Sequence, residues 1–318
     1  MKRRTFAIAA ACSALPLTWR AAQSADAYPA RPVLATGPSG VGGADSCLRP
    51  LQPALEQAHG IRLVIESVNG AGGTVGASRV KRSAADGYTL LFCGSGLMSI
   101  APRVQPAAPV LADFVPIINL VTVPYIIATR KGSAITTLPA LIDFIRQKPG
   151  ALTYGSPGIS TSPHLGMEAL ARMLGSSVTH IPYSGIATAI QGLLGGHIEA
   201  VIGAPSTLMP QIEANAIHGI ALVGKDRFPL APDIPSLAEA GIDLDGSTHF
   251  AVYAPRGTPP DVVATLARAF QDAASDPSYT KAMAGVRTRV NLMPADSLAR
   301  VLADETARFG TLMSAITT

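Results

Sequence analysis

The chain has 318 residues, 48% hydrophobic and only 14% charged, a balance that excludes intrinsic disorder and suits one large domain or two ordinary ones. Aromatic residues make up 5%, too few for a platform on which nucleic-acid bases stack. The formal charge of +4 invites a nucleic-acid reading, but most of the excess lies in the first residues.

Lys2-Arg3-Arg4 precedes an uncharged stretch over 5–19, and Ala25-Asp26-Ala27 follows. A basic start, a short apolar region and a small-x-small tripeptide predict a signal peptide over 1–27. The apolar run, about 15 residues, is too short for a comfortable membrane span. Cleavage after Ala27 leaves 21 basic and 20 acidic side chains, so no nucleic-acid partner is expected. Arg3-Arg4-Thr5-Phe6 also resembles a twin-arginine export signal. A lipoprotein reading of Cys12 is disfavoured, because the apolar region continues through Leu17. Cys47 and Cys93, outside any C-x-x-C, read as small buried hydrophobes.

After the leader, a strand at 31–35 runs into Gly37-Pro38-Ser39-Gly40-Val41-Gly42-Gly43. A helix is predicted over about 45–58, where Leu48, Leu51 and Leu55 share one face. A strand at 61–66 ends in Asn69-Gly70-Ala71-Gly72-Gly73, a helix follows to about 84, and a strand at 88–93 closes on Gly94-Ser95-Gly96. Strand, glycine loop, helix, strand is the arrangement of a parallel α/β sheet. The rhythm returns with strands at 152–154, 178–183 and 200–202 and helices at 163–174, 187–194 and 208–214. Two extended segments, 124–129 and 250–255, are expected to join the two α/β lobes as a hinge with a cleft between them. Helices at 260–274 and 295–314 are expected to pack back on the first lobe. Residues 28–124 and 251–318 would form lobe 1, and 125–250 lobe 2.

Ligands of open α/β sheets sit at the carboxyl ends of strands, where helix N-termini offer unpaired N–H groups to an anion. Gly42-Gly43 lets the backbone approach a ligand closely. Ser162-Pro163 is a good cap-and-first-turn pair, with Ser160 and Thr161 adding hydroxyl donors. No catalytic pattern stands beside these loops. Gly94-Ser95-Gly96 lacks the first glycine of a nucleophile elbow, no G-K-[ST] phosphate loop occurs, and the six histidines never recur at metal-ligand spacing. His164 reads as a locally packed neutral imidazole, Asp45 as a helix cap, and Glu66 and Asp86 as acceptors that hold loops together. No catalytic residue, metal or cofactor is expected.

These loops fall within an ordered set of motifs. Tyr28-Pro29-Ala30-Arg31-Pro32-Val33, Gly42-Gly43-Ala44-Asp45, Gly70-Ala71-Gly72-Gly73 and Asp86-Gly87-Tyr88-Thr89-Leu90-Leu91 are followed by Thr161-Ser162-Pro163-His164-Leu165, Ile181-Pro182-Tyr183 and Leu193-Leu194-Gly195-Gly196. From Tyr28 into the C-terminal helices the chain resembles the Bug (TctC-like) extracytoplasmic receptors of tripartite tricarboxylate transporters. The resemblance implies a two-lobed, type II-like periplasmic-binding-protein fold, with two parallel or mixed sheets flanked by helices and joined by a two-segment hinge. It also implies a monomer that captures a small organic carboxylate in the periplasm and delivers it to membrane permease subunits. Carried over by position, the implied ligand contacts are Gly42, Gly43 and Ser95 from lobe 1. From lobe 2 they are Gly158, Thr161 and Ser162, with Tyr183, Ala204 and Pro205 lining the wall. Ser184 replaces the family's Lys or Arg, Ser160 a common glycine and Gln191 a frequent aspartate. A dicarboxylate, an acidic amino acid or an aromatic acid would be compatible. The alternatives are a receptor that reports to a membrane signalling partner and an exported small-ester hydrolase built on Ser95 and His164.

Overall fold

The computed structural model describes residues 28–37, 44–70, 73–159 and 161–316. The expected signal peptide, the Gly42-Gly43 pair, Ala71, Gly72 and Ser160 lie outside the described residues.

The first half contains β1 (Val33–Gly37), α1 (Ala44–Leu48), α2 (Gln52–His59), β2 (Leu63–Ser67), α3 (Thr74–Lys81), β3 (Thr89–Gly94), α4 (Gly96–Ser99), α5 (Ala101–Val104) and β4 (Phe114–Val123). Then come β5 (Tyr125–Arg130), α6 (Leu138–Gln147), β6 (Thr153–Ser156), α7 (Ser162–Met173), β7 (Thr179–Pro182), α8 (Ile186–Leu194), β8 (Ala200–Gly203), α9 (Pro205–Glu213) and β9 (Ile217–Val223). The chain ends with β10 (Thr248–Pro255), α10 (Pro260–Ser275), α11 (Pro277–Gly285), β11 (Arg289–Pro294) and α12 (Ala295–Ile316).

Among the described residues the strands form two sheets, in the orders β11-β4-β10-β3-β1-β2 and β7-β6-β8-β5-β9. Each has a parallel part made by strand–helix–strand repeats: β1 beside β2 and β3, and β6 beside β7 and β8. Antiparallel strands complete them, β10 and β11 in the first and β5 and β9 in the second. Alternate side chains of a strand face opposite sides of its sheet, and here both sides are buried. In the first sheet Leu90, Phe92, Val252 and Ala254 enter one apolar cluster, while Leu91, Cys93, Ala251 and Tyr253 enter another. In the second, Ile127, Ala200, Ile202 and Ala221 face one cluster and Ile126, Ala128, Val201 and Leu222 the other. A fully buried side chain of this kind stabilises by about 1.5–3 kcal/mol, so covering both faces fixes each strand's register.

The two extended segments expected to join the lobes lie in interior strands. β5 lies between β8 and β9, and β10 between β3 and β4. Both are apolar runs with burial on either face, which is what a central strand requires. The chain passes between the sheets at Pro124, the one residue separating β4 from β5, and again over 224–247. Residues 248–250 pair with β4 of the first sheet. The C-terminal helices divide as well. Residues of α10 pack in the first sheet's core, whereas α12 sends Leu298 and Leu302 into a first-sheet cluster and Phe309 into a second-sheet cluster.

Cys47 and Cys93 are free, buried thiols in two different clusters of the first sheet. Burial pushes the Cys47 thiol up to about 12 and the Cys93 thiol higher still.

Close packing of β1 on β3 rests on Gly37. A Cβ at this position would lie 2.5 Å from the Phe92 carbonyl oxygen and 3.0 Å from the Ala44 Cβ, neither of which is a flexible side-chain end. Gly37→Ala is therefore expected to lower stability by about 1–3 kcal/mol, read as an earlier midpoint of urea unfolding.

Candidate binding site

Two motifs that carry the resemblance hold each other. The Tyr28 hydroxyl donates to the Gly87 carbonyl at 2.7 Å, and the Ala30 N–H donates to the Tyr88 hydroxyl at 2.7 Å. Arg31 pairs with Asp86 at 2.8 Å and lies over the Tyr88 ring. The carboxylate of Asp86 also accepts from the Tyr88 N–H, the loop-holding role expected of it. Glu66 instead pairs with Arg79 on α3. Asp45, expected to be a cap, sits inside the first turn of α1, where it accepts from Arg49 and from Ser67 on β2. Those two contacts, Ser67 first, hold its carboxyl below the usual range.

The end of β3 and the start of α7 come together across the two sheets. Ser95 is wholly buried, and its N–H donates to the His249 carbonyl at 2.7 Å. Its hydroxyl oxygen accepts from the His249 N–H at 3.3 Å. Gly96 follows, and a Cβ there would lie 2.8 Å from the Ser162 hydroxyl on α7. The glycine is thus what allows the two lobes to meet at this point. Tyr125, at the start of β5, places its hydroxyl 2.7 Å from that of Thr248 and also bonds Ser162.

Beneath this junction lies Glu305 of α12, only 2% exposed. Ser99 donates to its carboxyl at 2.9 Å, and Ser95 bonds it as well. Burial raises the carboxyl to about 7, a shift that the two serines and the charge of Arg308 only partly oppose. Glu305 was legible in the sequence. Leu298, Leu302, Glu305 and Phe309 recur at spacings of four, three and four on one helix face, with an acid in an otherwise apolar stripe. Thr248, Ser99 and Tyr125 carried no such signal.

On the second sheet, the loop after β6 is held by its own hydroxyls. Thr161 donates to the Gly158 carbonyl at 2.8 Å, and the Ser156 hydroxyl lies within 3.2 Å of the Gly158 N–H and 3.0 Å of its carbonyl. Gly158 has φ +147, a conformation that L side chains rarely adopt. Thr161 is the N-cap of α7, yet its side chain makes no capping bond to the helix. The leading amides of this twelve-residue helix are therefore not capped by it.

His164 is buried and stacks on His180 with ring centroids 4.1 Å apart, as a locally packed imidazole should. Burial, reinforced by the neighbouring ring, lowers it to about 4. The side chains of Ser95 and His164 thus face different partners, His249 and Glu305 for one and His180 for the other. Tyr183 packs its ring on α8, where a Cβ on Gly192 would meet its hydroxyl at 2.1 Å. Its side chain is a structural wedge, and its backbone is what lies nearest Gly158. Ala204 caps α9 with Pro205 in its first turn, and the Ala204 carbonyl accepts from the Thr207 hydroxyl at 2.8 Å. Ser95 and Ser162 are therefore brought together, as are Gly158 and Thr161. Among the described residues no cluster of His, Cys, Asp or Glu could hold a metal ion.

Residues 47–318 match the family described as the tripartite tricarboxylate transporter family receptor, TctC. The chain belongs to this family. The protein BugT of Bordetella pertussis is 31% identical over 90% of this chain and 89% of its own length. A solved R. palustris protein with adipate superposes with a TM-score of 0.78 at 28% identity, covering 90% of this chain and 97% of that one. MatC from Rhodopseudomonas palustris with bound malate gives 0.74 at 25% identity, covering 90% and 99%. The TctC receptors are periplasmic solute-binding proteins and not enzymes, which removes the hydrolase alternative. The two-sheet periplasmic-binding-protein fold agrees with these relatives.

The buried Glu305 yields a prediction. Its pKa in the fold, about 7, lies above the ordinary 4.5, so its contribution is complete below the ordinary value and is lost as pH rises through 7. Glu305→Gln keeps the shape without the charge. Urea unfolding at pH 5 and pH 8 should show the variant gaining roughly 2–3 kcal/mol on the wild type between the two.

Proposed function

We propose that this TctC receptor captures a small organic carboxylate between its two lobes and delivers it to the membrane permease of a tripartite tricarboxylate-type transporter. It works as a monomer, exported by the signal peptide over 1–27. Residues 28–123 with 248–318 form one body and 125–223 the other, turning about the crossings at Pro124 and 224–247. The observation that carries the reading is the start of α7, a twelve-residue helix whose cap residue Thr161 makes no side-chain capping bond, meeting Ser95 and Gly96 from the opposite sheet. Aligned peptide dipoles place about half a positive charge at such an end. Ser95, Gly158, Thr161 and Ser162 form the centre of the site, Gly42 and Gly43 complete it from lobe 1, and Tyr183, Ala204 and Pro205 form its wall. The relatives crystallised with adipate and malate support an acid of that size. Closure follows from the ligand's greater affinity for the closed form.

A thermal-shift series with adipate, malate and a neutral sugar tests the reading. A true ligand at a hundredfold excess over Kd stabilises by about 2.7 kcal/mol. The acids should shift the melting temperature and the sugar should not; the reverse pattern refutes the assignment. Thr161→Ala, which removes the hydroxyl that holds the Gly158 carbonyl, a bond worth roughly 1 kcal/mol, should loosen the loop and weaken binding of the acid several-fold, read by titration of the folded variant.

A further inference from the structure

A countercharge stabilises a carboxylate enclosed by protein, yet the loops assigned to it hold no cation. Residues 37–45, 69–74, 94–99, 155–162 and 203–207 contain neither lysine nor arginine. Beside Ser156 and Gly158 stands a pair of imidazoles, His164 and His180, their rings tilted by 32° with centroids 4.1 Å apart. The Ser156 hydroxyl, which holds Gly158, lies 2.7 Å from Nε2 of His180. His180 stacks on His164 in the first turn of α7, and the Tyr154 ring lies 4.9 Å away on its other contact.

We propose that the bound carboxylate draws its countercharge from this pair: binding protonates His180, so that the acid and a proton are taken up together. The inference rests on the carboxylate reading of the cleft given above.

With His180 neutral and its proton on Nδ1, Nε2 accepts from the Ser156 hydroxyl. With His180 charged, Nε2–H donates to the Ser156 oxygen, and the serine proton serves the Gly158 carbonyl, 3.0 Å away, beside the Thr161 hydroxyl. The proton thus places a positive charge behind the loop while the loop keeps its hydrogen bonds. Burial holds His180 below the ordinary histidine value, so without a ligand at neutral pH the ring is uncharged. Proximity of the rings, 4.1 Å, limits the pair to one proton. The remaining groups around the pair do not supply the missing charge. The Tyr154 ring accommodates a cation on its face, and its hydroxyl donates to Glu168 at 2.8 Å. Burial raises that carboxyl above its usual range, with Arg172 opposing the shift.

Calorimetric titration of the wild-type protein with adipate and with malate, in phosphate and in Tris between pH 6.5 and 8, counts the protons directly, in a range where both acids stay ionised. The expected result is net uptake of a fraction of one proton, with Kd falling as pH falls by up to tenfold per pH unit. Histidine NMR should show the His180 titration moving upward in the complex. His180→Gln should abolish the uptake and flatten the pH profile while binding is retained, at least fivefold weaker at pH 6.5. Binding with no proton exchange and an unmoved His180 titration overturns the inference and leaves the carboxylate reading intact. Binding of neither acid, nor of any other carboxylate, refutes that reading and the inference with it. Should His180→Gln fail to fold, the His180 titration followed by NMR in the wild type decides, and Glu305→Gln separates any uptake by that carboxyl.

Discussion

One helix belongs to two cores, and the placement of the candidate site depends on it. α12 buries Leu298 and Leu302 against the first sheet and Phe309 against the second, with Glu305 between them at the junction. The Arg103 side chain adds to this anchorage by donating to the Thr306 carbonyl on α12, and the absence of a side chain at Gly310 makes room for its guanidinium. Because Ser99 and Ser95 bond Glu305, the turn after β3 is referenced to α12. The same helix packs on α7, whose first residues face that turn. Any relative movement of the sheets has to be absorbed around this helix.

A buried acid at such a place is costly to ionise, and its two serine partners do not restore the ordinary carboxylate range. On the second sheet the His164–His180 stack shows the complementary case, bases kept neutral by burial. The interior thus holds an acid poised near neutrality and bases lowered by burial on either side of loops that themselves lack lysine and arginine. That pattern suits an anion held by amides and hydroxyls, with no permanently charged partner whose desolvation in the empty cleft would offset the attraction.

Much of the architecture was readable in the sequence because its physics is local. Glycine loops after short apolar runs marked β1–β3 and β6–β8, and the three- and four-residue spacing of Leu48, Leu51 and Leu55 marked the first helical region, although Pro50 and Pro53 break it into α1, a 3-10 turn and α2. Strands completed by distant partners were less legible. β4 is a ten-residue run interrupted by Pro116 and Asn119, and it becomes a strand through β10 and β11, whose residues lie more than a hundred positions away. β11 is an edge strand with no clear alternation. Segments 124–129 and 250–255 were recognisable as extended, but only their burial on both faces identifies them as sheet interior. For the candidate site, hydroxyls at a helix start pointed to Thr161 and Ser162 and the family resemblance added Ser95 and Gly158, whereas Thr248 and Tyr125 enter only through the crossing of the chain. Tyr183 shows the limit of motif transfer: its position is adjacent to the loop, while its ring fills the space left by Gly192.

The two thiols have a practical bearing. Cys47 and Cys93 occupy opposite sides of one sheet and share no cluster, so the sheet itself separates them. In an oxidising compartment, a cross-link between them would require the sheet to come apart first. Each sulfur is therefore a sealed indicator, silent toward alkylating reagents while the first lobe is intact and reactive once it opens.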